Sequence, residues 1–279
     1  MKRISFLAVF IILTNMLYSQ PSGRENFDAD WKFHLGDMDG AEHPGFDDRC
    51  WRTLDLPHDW SIEGSFKPDN PAGGSGASLP GGIGWYRKSF RISETMGKRC
   101  YIMFDGVYQN STVWINGHRL GQRPFGYATF QYDLTPYMQQ GDNIIAVRVD
   151  NSLQPNSRWY SGSGIYRHVW LTTTSPIHIS PWGTYVTTPR VLAKEASVRV
   201  ETDITNAGQA TANIKLVSTI LDHHGKKVGG RTENGRLVAG VQTKVVSQLK
   251  IRSPKLWSIE QPVLYKLVKI GRASCSERV

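Results

Sequence analysis

Asn151-Ser-Leu-Gln-Pro-Asn-Ser-Arg158-Trp159-Tyr160-Ser-Gly-Ser-Gly-Ile165-Tyr-Arg-His-Val-Trp-Leu171 is the stretch whose reading decides the fold. A polar loop carrying Arg158, Trp159 and Tyr160 passes through Ser-Gly-Ser-Gly into an alternating apolar run, which predicts a strand over 165–172. Planar aromatics and a cation on a loop held by a strand form a surface suited to a sugar ring. The C–H faces of the sugar stack on aromatic rings, and its hydroxyls need donors and acceptors. Arg158, Trp159 and Tyr160 are therefore the candidate substrate-binding residues.

Outward from this segment, no stretch has the period of a long helix. Short alternating or β-branched runs at 86–92, 101–104, 112–115 and 143–149 are bounded by Gly, Asn, Asp and Pro and read as strands. Asn116-Gly117 predicts a hairpin, because both residues tolerate positive φ. Gly141-Asp142-Asn143 predicts a second turn. Strands at this spacing without helices between them indicate a β-sandwich. Thr174-Ser175-Pro176 marks a linker. Beyond it, runs at 182–188, 197–204, 212–221, 241–251 and 263–268 alternate with turns at Asn206-Ala207-Gly208, His224-Gly225 and Asn234-Gly235. A segment of about ninety residues of this kind has the size of an immunoglobulin-like sandwich.

The two ends read differently. Lys2 and Arg3 precede an apolar run over 4–17, and Leu17-Tyr18-Ser19 ends in a small residue before Gln20. Residues 1–19 are thus expected to be a signal peptide, leaving an exported protein, periplasmic or extracellular, with no membrane segment after cleavage. Residues 270–279 have no periodicity and are similar to one reading frame of a common sequencing adapter, with Ser276 in place of an arginine; they are set outside the fold. The formal net charge is +9, but the cations are scattered among acids, a pattern that argues against nucleic acid as a partner. Cys275 lies in the tail. Cys100 is in phase with Ile102 and Phe104 and reads as a core thiol, while Cys50 precedes Trp51. A Cys50–Cys100 disulfide stays open.

Several motifs invite a catalytic reading and are assigned a structural one. In Pro57-His58-Asp59-Trp60, adjacent side chains of an extended segment point in opposite directions, and no nucleophile motif accompanies the pair. His58 and Trp60 are expected to fix that segment. The Gly-rich stretch 71–84 lacks the Gly-Lys-Ser/Thr ending and following helix of a phosphate loop, so it reads as a flexible loop. His223-His224 has no spaced partner ligands. Asn110-Ser111-Thr112 matches a glycosylation acceptor pattern. Glu63 and Asp105 do not share a spacing that would fix them as a hydrolytic pair. No catalytic residue, cofactor or metal site is expected on this chain.

With Pro57-His58-Asp59-Trp60, Gly84-Trp85-Tyr86-Arg87-Lys88 and Phe104-Asp105-Gly106-Val107 upstream of the opening stretch, the chain resembles the amino-terminal region of glycoside hydrolase family 2. The likeness runs from about Asn26 to Lys269, and the nearest members are secreted bacterial β-galactosidases. It implies an all-β chain: a jelly-roll sugar-binding domain over 20–175, then an immunoglobulin-like sandwich over 176–269. That sandwich lacks its last strand, because the strand following Leu264-Tyr265-Lys266-Leu267 in the family would fall in the tail. The resemblance places both catalytic glutamates of a retaining mechanism on a barrel beyond this chain. This part is then non-catalytic, with the barrel as its intramolecular partner, and the whole enzyme acts on β-linked oligosaccharides or polysaccharides in carbohydrate breakdown. The Gly-rich loop would lie near the active-site mouth. Arg158 stands where the family's well-known β-galactosidases carry an aspartate that contacts the galactosyl unit. An arginine only donates, which favours an acceptor or anionic group, so a β-glucuronide, a β-mannoside or a decorated sugar remains open. A stand-alone carbohydrate-binding module is the alternative from a different class.

Overall fold

The computed structural model describes residues 23–92 and 97–275. Residues 1–19, expected to be a signal peptide, and the last four residues of the tail lie outside them. The described chain is all-β. Its first ten strands are β1 (Gly23–Asn26), β2 (Trp31–Leu35), β3 (Arg52–Leu54), β4 (Gly82–Phe90), β5 (Arg99–Phe104), β6 (Ser111–Ile115), β7 (His118–Arg123), β8 (Phe130–Asp133), β9 (Asn143–Asn151) and β10 (Val169–Thr174). They form a six-stranded sheet of order β3-β2-β4-β9-β6-β7 and a four-stranded sheet of order β1-β10-β5-β8. The Asn116-Gly117 hairpin joins β6 to β7, with φ of 50° and 82° at its two residues, the backbone that favours Asn and Gly.

The core of this sandwich follows from alternation. Cys100, Ile102 and Phe104 of β5, Val113 and Ile115 of β6, and Ile145, Val147 and Val149 of β9 all point into one apolar cluster. Burying each large side chain contributes about 1.5–3 kcal/mol. Strand β4 is central and buried on both faces. Tyr86 faces the core, while Trp85 and Arg87 face outward beneath the segment 36–51. The Arg87 guanidinium, 1% exposed, holds that segment by donating to the carbonyls of Ala41 and His43 and to the Asp48 carboxylate, the last at 2.8 Å.

The second sandwich is built from β11 (Ile177–Val191), β12 (Glu195–Asn206), β13 (Ala212–Leu221), β14 (Lys227–Leu237), β15 (Gln242–Arg252) and β16 (Lys266–Cys275). Its sheets run β11-β12-β15 and β14-β13-β16. Six described strands are one fewer than the seven of a constant-type immunoglobulin sandwich. Its interior divides into two apolar clusters, one around Val200 and Leu249, the other around Ile204 and Leu216. Thr202, Ser218 and Ser247 are also wholly buried. Their hydroxyls, and the Lys269 ammonium opposite Ser218 in the register, have no hydrogen-bond partner among the described residues.

Three expectations change in the structure, and the disulfide left open is decided. The run 165–168 is buried at Ile165 but is not strand. Its carbonyls instead accept from distant backbone, Ile165 from the His58 N–H at 2.9 Å and His168 from the Asp105 N–H at 3.0 Å, so apolar alternation reported burial without a ladder. Asn234-Gly235 is not a turn; it pairs with Lys215 and Ile214 inside β14, a polar edge strand. Residues 270–275 are not outside the fold, because they prolong β16 along β13 from Val217 to Ala212. A backbone ladder at a sheet edge needs no apolar period. Cys50 and Cys100 are both free, the first exposed and the second buried.

Candidate functional site

The loop between β9 and β10 is fixed at its base by a buried polar network. The Asn151 amide donates to the Gly162 carbonyl at 3.1 Å and to Ser163 Oγ at 2.7 Å, and Ser61 Oγ donates to the same serine at 2.7 Å. The segment 57–61 runs beside it, with the Trp60 N–H donating to the Ser163 carbonyl at 3.1 Å. Period two then sorts that segment's side chains. His58 and Trp60 are buried, and Asp59 points the other way, toward the loop.

Asp59 is the anchor. Its Oδ1 accepts from the N–H groups of Ser61 at 2.9 Å and Ser163 at 2.8 Å, and its Oδ2 accepts from the Tyr160 hydroxyl. Gly162 has φ of 75°, and a Cβ there would lie 2.6 Å from Asp59 Oδ2; Gly164 has φ of 125°, and a Cβ there would collide with the Tyr86 hydroxyl. Ser-Gly-Ser-Gly is therefore required by both conformation and close approach.

Behind the loop, His58 Nδ1 lies 2.7 Å from the Tyr86 hydroxyl, and its Nε2 lies 2.9 Å from an Arg52 nitrogen and 3.2 Å from Glu63. Nε2 thus faces an obligate donor, the guanidinium, and an obligate acceptor, the carboxylate, while the Tyr86 hydroxyl, which both donates and accepts, pairs with Nδ1 in either tautomer. Burial lowers the His58 pKa, against the pull of Glu63, and keeps the ring neutral. Burial likewise raises Tyr86 well above the usual phenol range. The pair braces the segment 57–60 against β4.

Trp159 is 61% exposed yet held at both ends. Its indole N–H donates to the Tyr127 hydroxyl at 3.2 Å, and its carbonyl accepts from Ser157 and Ser161, whose hydroxyls lie 2.9 Å apart. Tyr127 donates onward to Ser161 Oγ at 3.3 Å. Burial, then the bond to Asp59, raises the Tyr160 pKa, so that side chain remains a phenol. Arg158 is exposed and makes no hydrogen bond or ion pair with the described residues. Ala72, Gly76, Leu79 and Pro80 of the Gly-rich stretch line one narrow cleft with Ser157, Trp159 and Tyr160. The two loops singled out in the sequence thus meet in space. The only helical turn in that stretch is three residues long, Gly74–Gly76.

The other candidates are occupied elsewhere. Glu63 is held by Arg52 and His58, and Asp105 accepts from the Trp170 indole at 2.8 Å. The rings of His223 and His224 contact each other at 3.8 Å between centroids. Among the described residues, no group of three or more His, Cys, Asp or Glu is placed to hold a metal ion. Sequence reasoning missed Asp59 as the loop's anchor and Tyr127 as the partner of Trp159. The alternation that turned His58 and Trp60 inward already turned Asp59 outward; nothing local signalled Tyr127.

Comparison with known proteins places this geometry. The family model described as Glycosyl hydrolases family 2, sugar binding domain, matches residues 74–175, and the model described as Glycosyl hydrolases family 2 matches residues 177–269. Beta-galactosidase BoGH2A of Bacteroides ovatus is 51% identical over 262 residues, covering 92% of this chain and 31% of that protein. A putative beta-glucuronidase of Formosa agariphila is 40% identical, covering 92% of this chain and 24% of that one. A crystal structure of a glycosyl hydrolase family 2 member from Bacteroides cellulosilyticus superposes with a TM-score of 0.85 at 38% identity, covering 89% of this chain and 33% of that chain. The chain therefore spans less than a third of the length of these two curated relatives.

Proposed function

The chain belongs to glycosyl hydrolases family 2, and from that premise we propose that it is the non-catalytic amino-terminal part of an exported, retaining β-glycosidase of β-galactosidase type. Its relatives are glycosidases of β-linked sugars. The catalytic carboxylates of this reading lie in the portion of those relatives that the chain does not span. One observation carries the local role: a largely exposed tryptophan is locked by hydrogen bonds at its indole and its carbonyl, next to a phenol tied to a carboxylate. A rigid aromatic wall of that kind binds a sugar at low entropic cost. Trp159 and Tyr160 wall the sugar, Arg158 meets a polar substituent, and the Gly-rich loop narrows the mouth.

A second reading concerns the sugar. Arg158 has no acidic partner among the described residues, and a guanidinium in that state is suited to a carboxylate. A β-glucuronide substrate is the alternative it favours. The experiment is hydrolysis by the purified chain from Gln20 onward, on chromogenic β-galactoside, β-glucuronide and β-mannoside. No turnover is expected. Turnover abolished by a point change within this chain overturns the non-catalytic reading.

A further inference from the structure

We propose that Phe125, Tyr127 and Trp159 form an extended platform for the sugar units of a β-linked oligosaccharide that follow the one held at Arg158–Tyr160; this rests on the site reading above. The three residues come from two loops, one between β7 and β8 and the other between β9 and β10. They are 64%, 42% and 61% exposed, respectively. Phe125 and Tyr127 contact each other with ring centroids 5.6 Å apart, and Trp159 donates its indole N–H to Tyr127. Phe125, Tyr127 and Trp159 thus adjoin in turn and form an exposed aromatic ridge across the two loops.

The ridge is built on a fixed base. Tyr127 packs edge-on against buried Tyr108 at 5.4 Å between centroids, and Tyr108 donates to the Asn156 side chain at 3.1 Å. The central phenol and the indole spend their polar atoms on each other and on Ser161, which leaves the ring faces as the unsatisfied surface. Hydroxyls of Ser157 and Ser161, bonded to the Trp159 carbonyl, and the pair of Asp59 with Tyr160, next in the chain, adjoin the ridge. Aromatic faces beside closely spaced donors and acceptors suit a sugar, whose C–H face and hydroxyl rim must be met together. A polypeptide partner needs no such rim. All three residues fall within the segment matched by the sugar-binding family model.

The test is calorimetric titration of the chain with methyl β-galactoside and with β-linked galactobiose and galactotriose. Affinity is expected to rise at least about fivefold from the single unit to the trisaccharide. Phe125→Ala, at an exposed position, should abolish that rise with the single-unit affinity and melting temperature unchanged. Trp159→Ala should weaken all three ligands. Equal affinity at every length overturns the platform and leaves the single-sugar site standing. A length gain that survives Phe125→Ala also overturns it, and no binding at any length overturns both readings.

Discussion

Asp59→Ala tests whether one carboxylate holds the loop between β9 and β10 in place. The substitution strands two backbone N–H groups, those of Ser61 and Ser163, and both residues are almost wholly buried, at 3% and 0% exposed. Leaving a buried donor without a partner costs about 1–3 kcal/mol each. The Tyr160 hydroxyl also loses its acceptor but lies on a side chain 38% exposed, so water replaces most of that bond. The expected loss is about 3–5 kcal/mol, which in a domain of this size lowers the melting temperature by about 10 °C. Asp59→Asn keeps an oxygen for the two N–H groups and should cost only about 1 kcal/mol. Thermal melts of the three proteins, followed by near-ultraviolet circular dichroism of the loop aromatics, give the comparison. A melting temperature for Asp59→Ala equal to that of the parent refutes the anchor.

Three further outcomes follow from groups described above. Tyr86→Phe deprives His58 Nδ1 of its buried hydrogen-bond partner and should destabilise the chain by about 1–3 kcal/mol, read by urea denaturation; an unchanged midpoint contradicts the brace. Burial pushes the Cys100 thiol up to about 12, so at pH 8 a maleimide should label Cys50 and spare Cys100 in peptide mass spectra; equal labelling contradicts that burial. Desolvation lowers Lys269 to about 8. Its folded pKa lies below the ordinary lysine value, so the folded state disfavours its charge. That penalty is full below about 8 and is relieved as pH rises toward 10.5. Solvent screens a half-buried group, so Lys269→Met should stabilise the chain at pH 7 by only about 1 kcal/mol, with a smaller gain at pH 10; destabilisation at pH 7 contradicts an unpaired ammonium.

Strands that face a core were legible, because burial on one side writes period two into the sequence, as in Cys100, Ile102 and Phe104. Two edge strands were not. β7 (His-Arg-Leu-Gly-Gln-Arg) and β14 (Lys-Val-Gly-Gly-Arg-Thr-Glu-Asn-Gly-Arg-Leu) are held mainly by their backbone ladders, which leave no side-chain signature. At the site, the aromatic loop and its glycine-rich neighbour stood out by composition. What fixes them did not: the partner of Tyr160 lies 101 positions away and that of Trp159 32 positions away. Only the register that brings 57–61 beside 163–165 connects them.

The most direct measurement of the proposed function is kcat/KM for the whole glycosidase proposed above, with Trp159→Ala and Arg158→Ala, on β-galactoside and β-glucuronide. The expected result is a loss of at least about tenfold for Trp159→Ala on the preferred substrate, with an unchanged melting temperature. Arg158→Ala should lower activity on the glucuronide most if the sugar is acidic. Unchanged kinetics in both variants would contradict the claim that this loop walls the sugar, and a fall in stability alone would assign Trp159 to a contact between domains.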